Sequence, residues 1–277
     1  MTDKENTQDF IQWISLSNQS SEYETDYPKI KGGFTRRNTS LPENGNTALH
    51  VCQSKEDVMK NRRRLEKILL PLENWVLPWQ KHTDRIVRVT HEDILKGAFD
   101  KNTSIMDTDG LYTTEKDLLI GVFTADCLGI LLADPKTGLI GAVHSGWKGT
   151  VQNILYKMLH EIFDQNLSSP DSLKIFFSPS IQKQSFQIGE DVKKQLEDSG
   201  KEIGLDYSDF FEADPDEHGK WFADHQAMNL RICKTMNIPD HHVFANSQDT
   251  KTDPTCFSFR RDKNLTGEHL SFIYMED

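Results

Sequence analysis

Cysteine is scarce in this sequence of 277 residues: Cys52, Cys127, Cys233 and Cys256 are the whole supply. No two form a CxxC pair, so a disulfide framework is excluded and reduced thiols are expected, at least one of them free for chemistry. Long apolar runs are also missing. Nothing approaches the roughly 18 residues of a membrane span, and the polar start Met1-Thr2-Asp3-Lys4-Glu5-Asn6 has no signal-peptide apolar region. The expectation is a cytoplasmic protein that neither inserts in nor anchors to a membrane. Positive charge is in deficit: 32 Lys+Arg against 43 Asp+Glu leave a net −11. Broad nucleic-acid binding is therefore not expected, because phosphate backbones would be repelled. A local basic pocket for a small anion is still compatible with that balance. No repeat, low-complexity tract or Pro/Gly/Ser-rich linker divides the chain. It reads as one domain, with residues 1–32 an N-terminal strand and loop belonging to the same unit as residues 33–277.

Apolar periodicity supplies the elements. Phe10 to Leu16 reads as a strand and Ser17 to Asp26 as a loop. Residues 54–70 read as a helix, with Ser54 as cap, Asp57 at its third position, and Val58, Leu65, Ile68 and Leu69 as its apolar face; Pro71 stops it. Strands are predicted at Arg85–Val89, Asp109–Thr113, Leu118–Phe123, Cys127–Ala133, Leu139–His144 and Leu173–Phe177, and later at His242–Ala245, Cys256–Arg260 and Leu270–Tyr274. Asp134-Pro135-Lys136-Thr137-Gly138 reads as a hairpin turn. One helix is predicted from Lys148, because Val151, Ile154, Leu155, Met158, Leu159, Ile162 and Phe163 follow helical spacing. Residues 188–198 and 224–236 read as further helices. Strands cluster rather than alternate with helices, which favours an α+β layered fold.

The chemistry concentrates in Thr124-Ala125-Asp126-Cys127 and His144-Ser145-Gly146-Trp147-Lys148-Gly149. A hairpin centred on residues 135–137 pairs residue 127 near 145, which makes Cys127 and His144 neighbours, roughly 5 Å apart. Three readings compete: a buried core pair, a Cys/His nucleophile pair, and a zinc site needing one more ligand, for which His82 is the candidate. Gly146 and Gly149 flank Trp147 and Lys148 just ahead of a helix, an arrangement suited to an anion. Arg36-Arg37, Arg62-Arg63-Arg64 and Arg260-Arg261 are candidate phosphate holders, most of the 62–64 cluster being a solvated helix face. Asp126 and Asp109 are candidates for handling a proton or orienting a ligating His.

These motifs, with His82 and Phe257-Ser258-Phe259-Arg260-Arg261-Asp262, resemble the laccase-domain family. That family is also called polyphenol oxidase or multicopper-oxidase-like, and is described as purine nucleoside phosphorylases. The resemblance runs from about Gly33-Phe34-Thr35-Arg36 to the C-terminus. It implies a mixed β-sandwich flanked by helices and a zinc site of His82, Cys127 and His144, with copper as the alternative metal. The implied activity is phosphorolysis of adenosine, inosine and S-methyl-5′-thioadenosine, with adenosine deaminase as a side activity; the substrates are a purine nucleoside and phosphate. From the residues themselves, Asp126 joins the three ligands as a catalytic candidate, expected to stand behind the ligands rather than to bind the metal, and for phosphate Arg62 is favoured, then Arg36 and Lys148. The alternatives are a copper-dependent polyphenol oxidase, a metal-free cysteine hydrolase using Cys127 and His144, and a metal-binding scaffold without turnover. One His/His/Cys site and the lack of HxH pairs argue against four-electron oxygen reduction. The sequence departs from the family pattern at Ser145 and Lys148, where Ala and Arg are usual. It departs again at Phe177, Gln184-Ser185 and Gln187, and at Glu268, where Arg is common.

Overall fold

The computed structural model describes residues 10–15 and 29–276. In chain order its strands are β1 (Ile11–Trp13), β2 (Lys29–Thr35), β3 (Trp75–Val76), β4 (Pro78–Trp79), β5 (Ile86–Arg88), β6 (Ile105–Met106), β7 (Gly110–Thr113) and β8 (Leu119–Thr124). They continue with β9 (Leu128–Asp134), β10 (Leu139–Ser145), β11 (Lys174–Phe177), β12 (Gln187–Gly189), β13 (Phe211–Ala213), β14 (Lys220–Ala223), β15 (Val243–Phe244) and β16 (His269–Glu276). The helices are α1 (Lys55–Glu66), α2 (Trp147–Val151), α3 (Ile154–Asp164), α4 (Glu190–Glu202), α5 (His225–Thr235) and α6 (Phe259–Asp262).

Side-chain alternation along the strands dictates the layers. In β9, Leu131 and Ala133 join Ile140 and Ala142 of β10, Ile120 and Val122 of β8 and Ile273 of β16 in one buried cluster. That cluster fills the space between a five-stranded sheet, ordered β1-β2-β16-β8-β3, and a six-stranded sheet, ordered β15-β11-β9-β10-β7-β5. The alternate β9 residues Leu128, Ile130 and Leu132 pack against Ile154, Leu155, Met158, Leu159 and Ile162 of α3 and Ile232 of α5. On the opposite side, Leu119, Phe123, Leu270 and Phe272 pack against Leu65 of α1 and against Leu72 and Trp75. Each such buried leucine or isoleucine contributes roughly 1.5–3 kcal/mol of transfer free energy. The fold is the mixed β-sandwich flanked by helices. Both sheets mix parallel pairs, β3 with β8 and β5 with β7, among antiparallel ones. A three-stranded sheet, β12-β14-β13, sits with α4 around Leu196 and Tyr207.

Local chemistry fixes the ends. Ser54 accepts from Asp57 N at 3.2 Å and caps α1; the helix stops at Glu66 rather than reaching residue 70. Asp224 caps α5 by accepting from Ala227 N. Where a single helix from Lys148 is predicted, Asn153 at φ 57° breaks it into α2 and α3. Cys256–Arg260 is not a strand. Arg261 donates to the carbonyls of Thr250, Asp253 and Cys256 and folds that segment on itself, and Ser258 caps the short α6. The β9–β10 hairpin pairs Leu128 with Ser145 and Gly129 with His144, one residue away from the predicted register. Leu16 and the whole of the predicted 17–26 loop lie outside the described residues.

At the start of β16, His269 places Nδ1 2.6 Å from the Thr35 carbonyl, and its Nε2 accepts from Phe257 N at 2.9 Å. A carbonyl only accepts and an amide only donates, so this ring is neutral, and burial holds its pKa down from 6.5 to about 4. A histidine depressed in the folded state costs stability as pH falls from the unfolded value toward the folded one. Unfolding free energy should therefore decline between pH 6.5 and about 4, by on the order of 3 kcal/mol from this group, at about 1.4 kcal/mol per pH unit. Denaturant unfolding of wild type and His269→Gln across that range checks this. The variant should show a flatter decline, and equal slopes would contradict it.

Candidate metal centre and cleft

His144 is the penultimate residue of β10, on the face that carries Ile140 and Ala142 into the space between the sheets. It therefore emerges at the end of the sandwich, 4% exposed. Cys127 lies just ahead of β9 and is not held by the ladder. Asp126 adopts φ 82°, and that left-handed residue turns the chain so that Cys127 meets His144 despite the shifted register. His82 also sits at positive φ, 58°, in the loop between β4 and β5. The ligand atoms of His82, Cys127 and His144 all lie within 4.8 Å of one another.

Asp109, fully buried immediately before β7, ties these elements together. Its Oδ1 lies 2.7 Å from His144 Nδ1 and accepts from His82 N at 3.1 Å. Its Oδ2 accepts from Lys81 N, Thr83 N and the Thr83 hydroxyl. One carboxylate thus orients the His144 ring, leaving Nε2 for a ligand, and shapes the loop that carries His82. Gln152 Nε2 donates to the His82 carbonyl at 2.7 Å, while Gln80 exchanges both its amide bonds with Phe123 of β8. Burial works against the Cys127 thiolate, but the His144 and His82 imidazoles outweigh it and pull the thiol below its ordinary pKa. His144 shifts the opposite way: burial opposes its charge, yet Cys127 and Asp109 raise it. The pair is polarised toward thiolate and imidazolium, the charge state a cation would replace.

The donor set of two imidazole nitrogens and one thiolate suits zinc, with one tetrahedral corner left for a substrate. Gly146 is part of the fit. A Cβ there would stand 2.7 Å from Cys127 Sγ and 3.2 Å from His82 Cδ2, so only glycine leaves the cradle free.

The three residues open onto a cleft of about 820 Å³. Its walls include Phe186, Ile181, Trp147 and His225; Phe123, His50 and Glu268; and Phe259, Arg260, Lys263 and Leu265. The three cations favoured for phosphate are not among its lining residues. Arg62 is 1% exposed and donates through Nε to the Thr47 carbonyl and through Nη1 to those of Gly97 and Ala98. It pins the segment leading to His50 rather than reaching into the cleft. Arg36 contributes its backbone N–H to the Phe10 carbonyl, and Lys148 places its ammonium 5.6 Å from its neighbour's Trp147 ring. The cleft cations are instead Arg260 and Lys263. Asp126 accepts from Arg260 N at 2.6 Å and from the Thr250 hydroxyl at 2.6 Å. One oxygen thus holds the start of α6 and the other the Thr250 segment, so the carboxylate ties these two stretches to the residue that precedes Cys127. His50, Glu268 and His225 join the site from distant stretches. His50 Nε2 stands 2.9 Å from Glu268 Oε2. Burial opposes the Glu268 charge, but His50, with His144 and His82, keeps its carboxyl below the ordinary value. No spacing in the sequence marks His50 or His225; Glu268 is visible only as a departure from the family pattern.

Residues 31–276 match the family described as multi-copper polyphenol oxidoreductase laccase. The chain belongs to this family. It is 30% identical over 255 residues to the purine nucleoside phosphorylase YlmD of Bacillus subtilis strain 168, covering 90% of each chain. Its identity to the Geobacillus stearothermophilus protein of that name is 32% over 231 residues, or 82% of each. The crystal structure of YlmD from Geobacillus stearothermophilus superposes with a TM-score of 0.82 at 27% identity, covering 97% of this chain and 99% of that one. No helix among the described residues is long and apolar enough to cross a membrane.

Two substitutions probe the centre. Asp109→Asn keeps the shape but loses the charge that orients His144, and should weaken metal affinity by about 10–100-fold. Gly146→Ala should do at least as much by forcing Cys127 and His82 apart. Competition against a chromophoric zinc chelator measures both, and unchanged affinity in both variants would contradict the described geometry.

Proposed function

We propose that this chain is a zinc-dependent purine nucleoside phosphorylase. It cleaves adenosine, inosine and S-methyl-5′-thioadenosine with phosphate to the free base and the pentose 1-phosphate, and deaminates adenosine as a side activity. The observation that carries this reading is the His82–Cys127–His144 cluster facing a cleft with aromatic walls and two cations. The names of the relatives support the same class. Bound zinc would supply Lewis acidity and, for deamination, lower the pKa of a water.

The chain's own residues supply the rest. His82, Cys127 and His144 would hold the metal, with Asp109 fixing the His144 tautomer. Arg260 would take phosphate: Nη1 is steadied by the Gln187 carbonyl at 3.1 Å and its backbone by Asp126. Its remaining guanidinium N–H groups are left for a charge-assisted contact. In phosphorolysis a phosphate oxygen bonds to C1′ as the C1′–N9 bond breaks, its electron pair leaving with the base, which takes up a proton. The apolar wall of Phe186, Ile181 and Trp147 would seat the base and exclude water. The copper oxidase reading finds less support, because only one group of candidate ligands gathers among the described residues. The cysteine-hydrolase reading draws on the polarised Cys127–His144 pair, but it gives His82 and the Gly146 cradle no role.

Product analysis tests the proposal. Adenosine should yield adenine and ribose 1-phosphate only when phosphate is supplied, whereas inosine formed by deamination should not need it. Arg260→Gln should raise the phosphate KM about tenfold or more and leave metal content unchanged. Adenine release that is independent of phosphate would make the enzyme a hydrolase and overturn the reading.

A further inference from the structure

One cleft carboxylate has one oxygen engaged and one open. Glu268 stands immediately before β16, lines the cleft, and its side chain is 19% exposed. Its Oε2 is closed off from solvent and faces His50 Nε2 at 2.9 Å. Oε1 is not closed off, and among the described residues no donor reaches it. Burial opposes the charge, but His50, with His144 and His82, holds the carboxyl below its ordinary value, so the group is an anion that only accepts.

Both partners of this pair are held in place. Asn46, fully buried, ties them to one side chain. Its Oδ1 accepts from Glu268 N at 3.1 Å and from Ala48 N at 2.9 Å, and its Nδ2 donates to the Val51 carbonyl at 2.9 Å. The turn that carries His50 and the entry to β16 are thereby joined. Phe123 stands edge-on to the His50 ring, centroids 5.6 Å apart. Such an acceptor is organised before any ligand arrives, so little ordering cost falls on binding.

A nucleoside and phosphate offer this oxygen three kinds of group. Phosphate is an anion that a carboxylate repels, and Arg260 and Lys263 suit it better. The base suits the apolar wall, where Phe186 and Ile181 belong to one buried cluster and Trp147 packs against it. Glu268 adjoins His50 and Phe123 instead, and the remaining part of the substrate is the pentose, whose hydroxyls donate. We infer that Glu268 is the pentose-recognising residue of the cleft, its Oε1 accepting hydrogen bonds from the vicinal 2′- and 3′-hydroxyls. This assignment rests on the purine nucleoside reading of the site. Hydrogen bonds to an ionised acceptor are about twice as strong as neutral ones. A site built to bond a hydroxyl rejects the analogue that lacks it, because its own polar group is then left unpaired.

Adenosine and 2′,3′-dideoxyadenosine share their base and differ at those hydroxyls, so they are the probes. Calorimetric titration without phosphate should show wild type binding adenosine about 10–100-fold more tightly. Inosine and 2′,3′-dideoxyinosine should show a similar ratio, since the base is not what Glu268 reads. Glu268→Ala should lose most of the ratio, Glu268→Gln, which keeps an acceptor without the charge, should lose part of it, and both should keep the zinc content of wild type. Equal affinities for adenosine and its dideoxy analogue in wild type, binding of neither, or an unchanged ratio in a folded Glu268→Ala would overturn the assignment. So would a Glu268→Ala variant that alters the preference between adenosine and inosine while leaving the hydroxyl ratio intact, because the carboxylate would then face the base. Should the alanine variant not fold, the wild-type ratio and the glutamine variant still decide. Phosphorolysis is assayed separately: Glu268-dependent selection of the hydroxyls without phosphate-dependent cleavage would remove the enzyme class and leave the pentose assignment standing.

Discussion

The buried carboxylate of Asp109 is the constraint on which the site depends. Taking a carboxylate out of water costs several kcal/mol unless hydrogen bonds replace its hydration. Here the backbone N–H groups of Lys81, His82 and Thr83, the Thr83 hydroxyl and the His144 ring all converge on it. Each donor belongs to an element the site needs in place. The loop carrying His82 has little ladder to hold it, and the left-handed His82 conformation is unfavourable on its own. The Asp109 carboxylate offsets that cost. Its backbone adds a further tie, because His144 N donates to the Asp109 carbonyl at 2.7 Å. A displacement of this one residue would move two of the three candidate ligands.

The sandwich determines where that constraint can act. Along β10, Ile140, Ala142 and His144 occupy alternate positions, the first two sealed between the sheets and the third at the end of the layer. The last pairs of β8 with β16 bring Phe123 and Thr124 alongside Leu270 and His269. The cleft thus lies at one end of the two-sheet core, where ladders stop and segments such as 80–83 and 125–127 take over. Rigid strands hold His144, while two residues at positive φ, His82 and Asp126, aim the segments that complete the cluster.

Much of this was legible in the sequence, for physical reasons. The α1 cap followed from Ser54 and Asp57, and the central strands from apolar runs between turn residues. The proximity of Cys127 and His144 followed from a hairpin, but through a register one residue off. The backbone turn at Asp126, invisible to periodicity, restored the contact. The continuous apolar spacing across Val151 and Ile154 hid the break at Asn153. At Arg62 residue type and helix position point different ways. Val58, Asn61, Arg62 and Leu65 are the buried residues of α1, spaced i, i+3, i+4, i+7. Arg62 therefore lies on the packed stripe while Arg63 faces Glu66 at the surface. Its type suggested phosphate; its position on the helix requires burial. His50 had no such signal, since the sequence does not show which distant carboxylate a loop residue meets.

The central claim is that Asp109 builds a metal centre from His82, Cys127 and His144. Elemental analysis of the purified protein tests it most directly. The account predicts close to one equivalent of zinc per chain in wild type, and near none in Cys127→Ala that has kept its fold by circular dichroism. A full equivalent of metal retained by that variant, or a wild-type protein that is free of metal and does not take up zinc on titration, would contradict it.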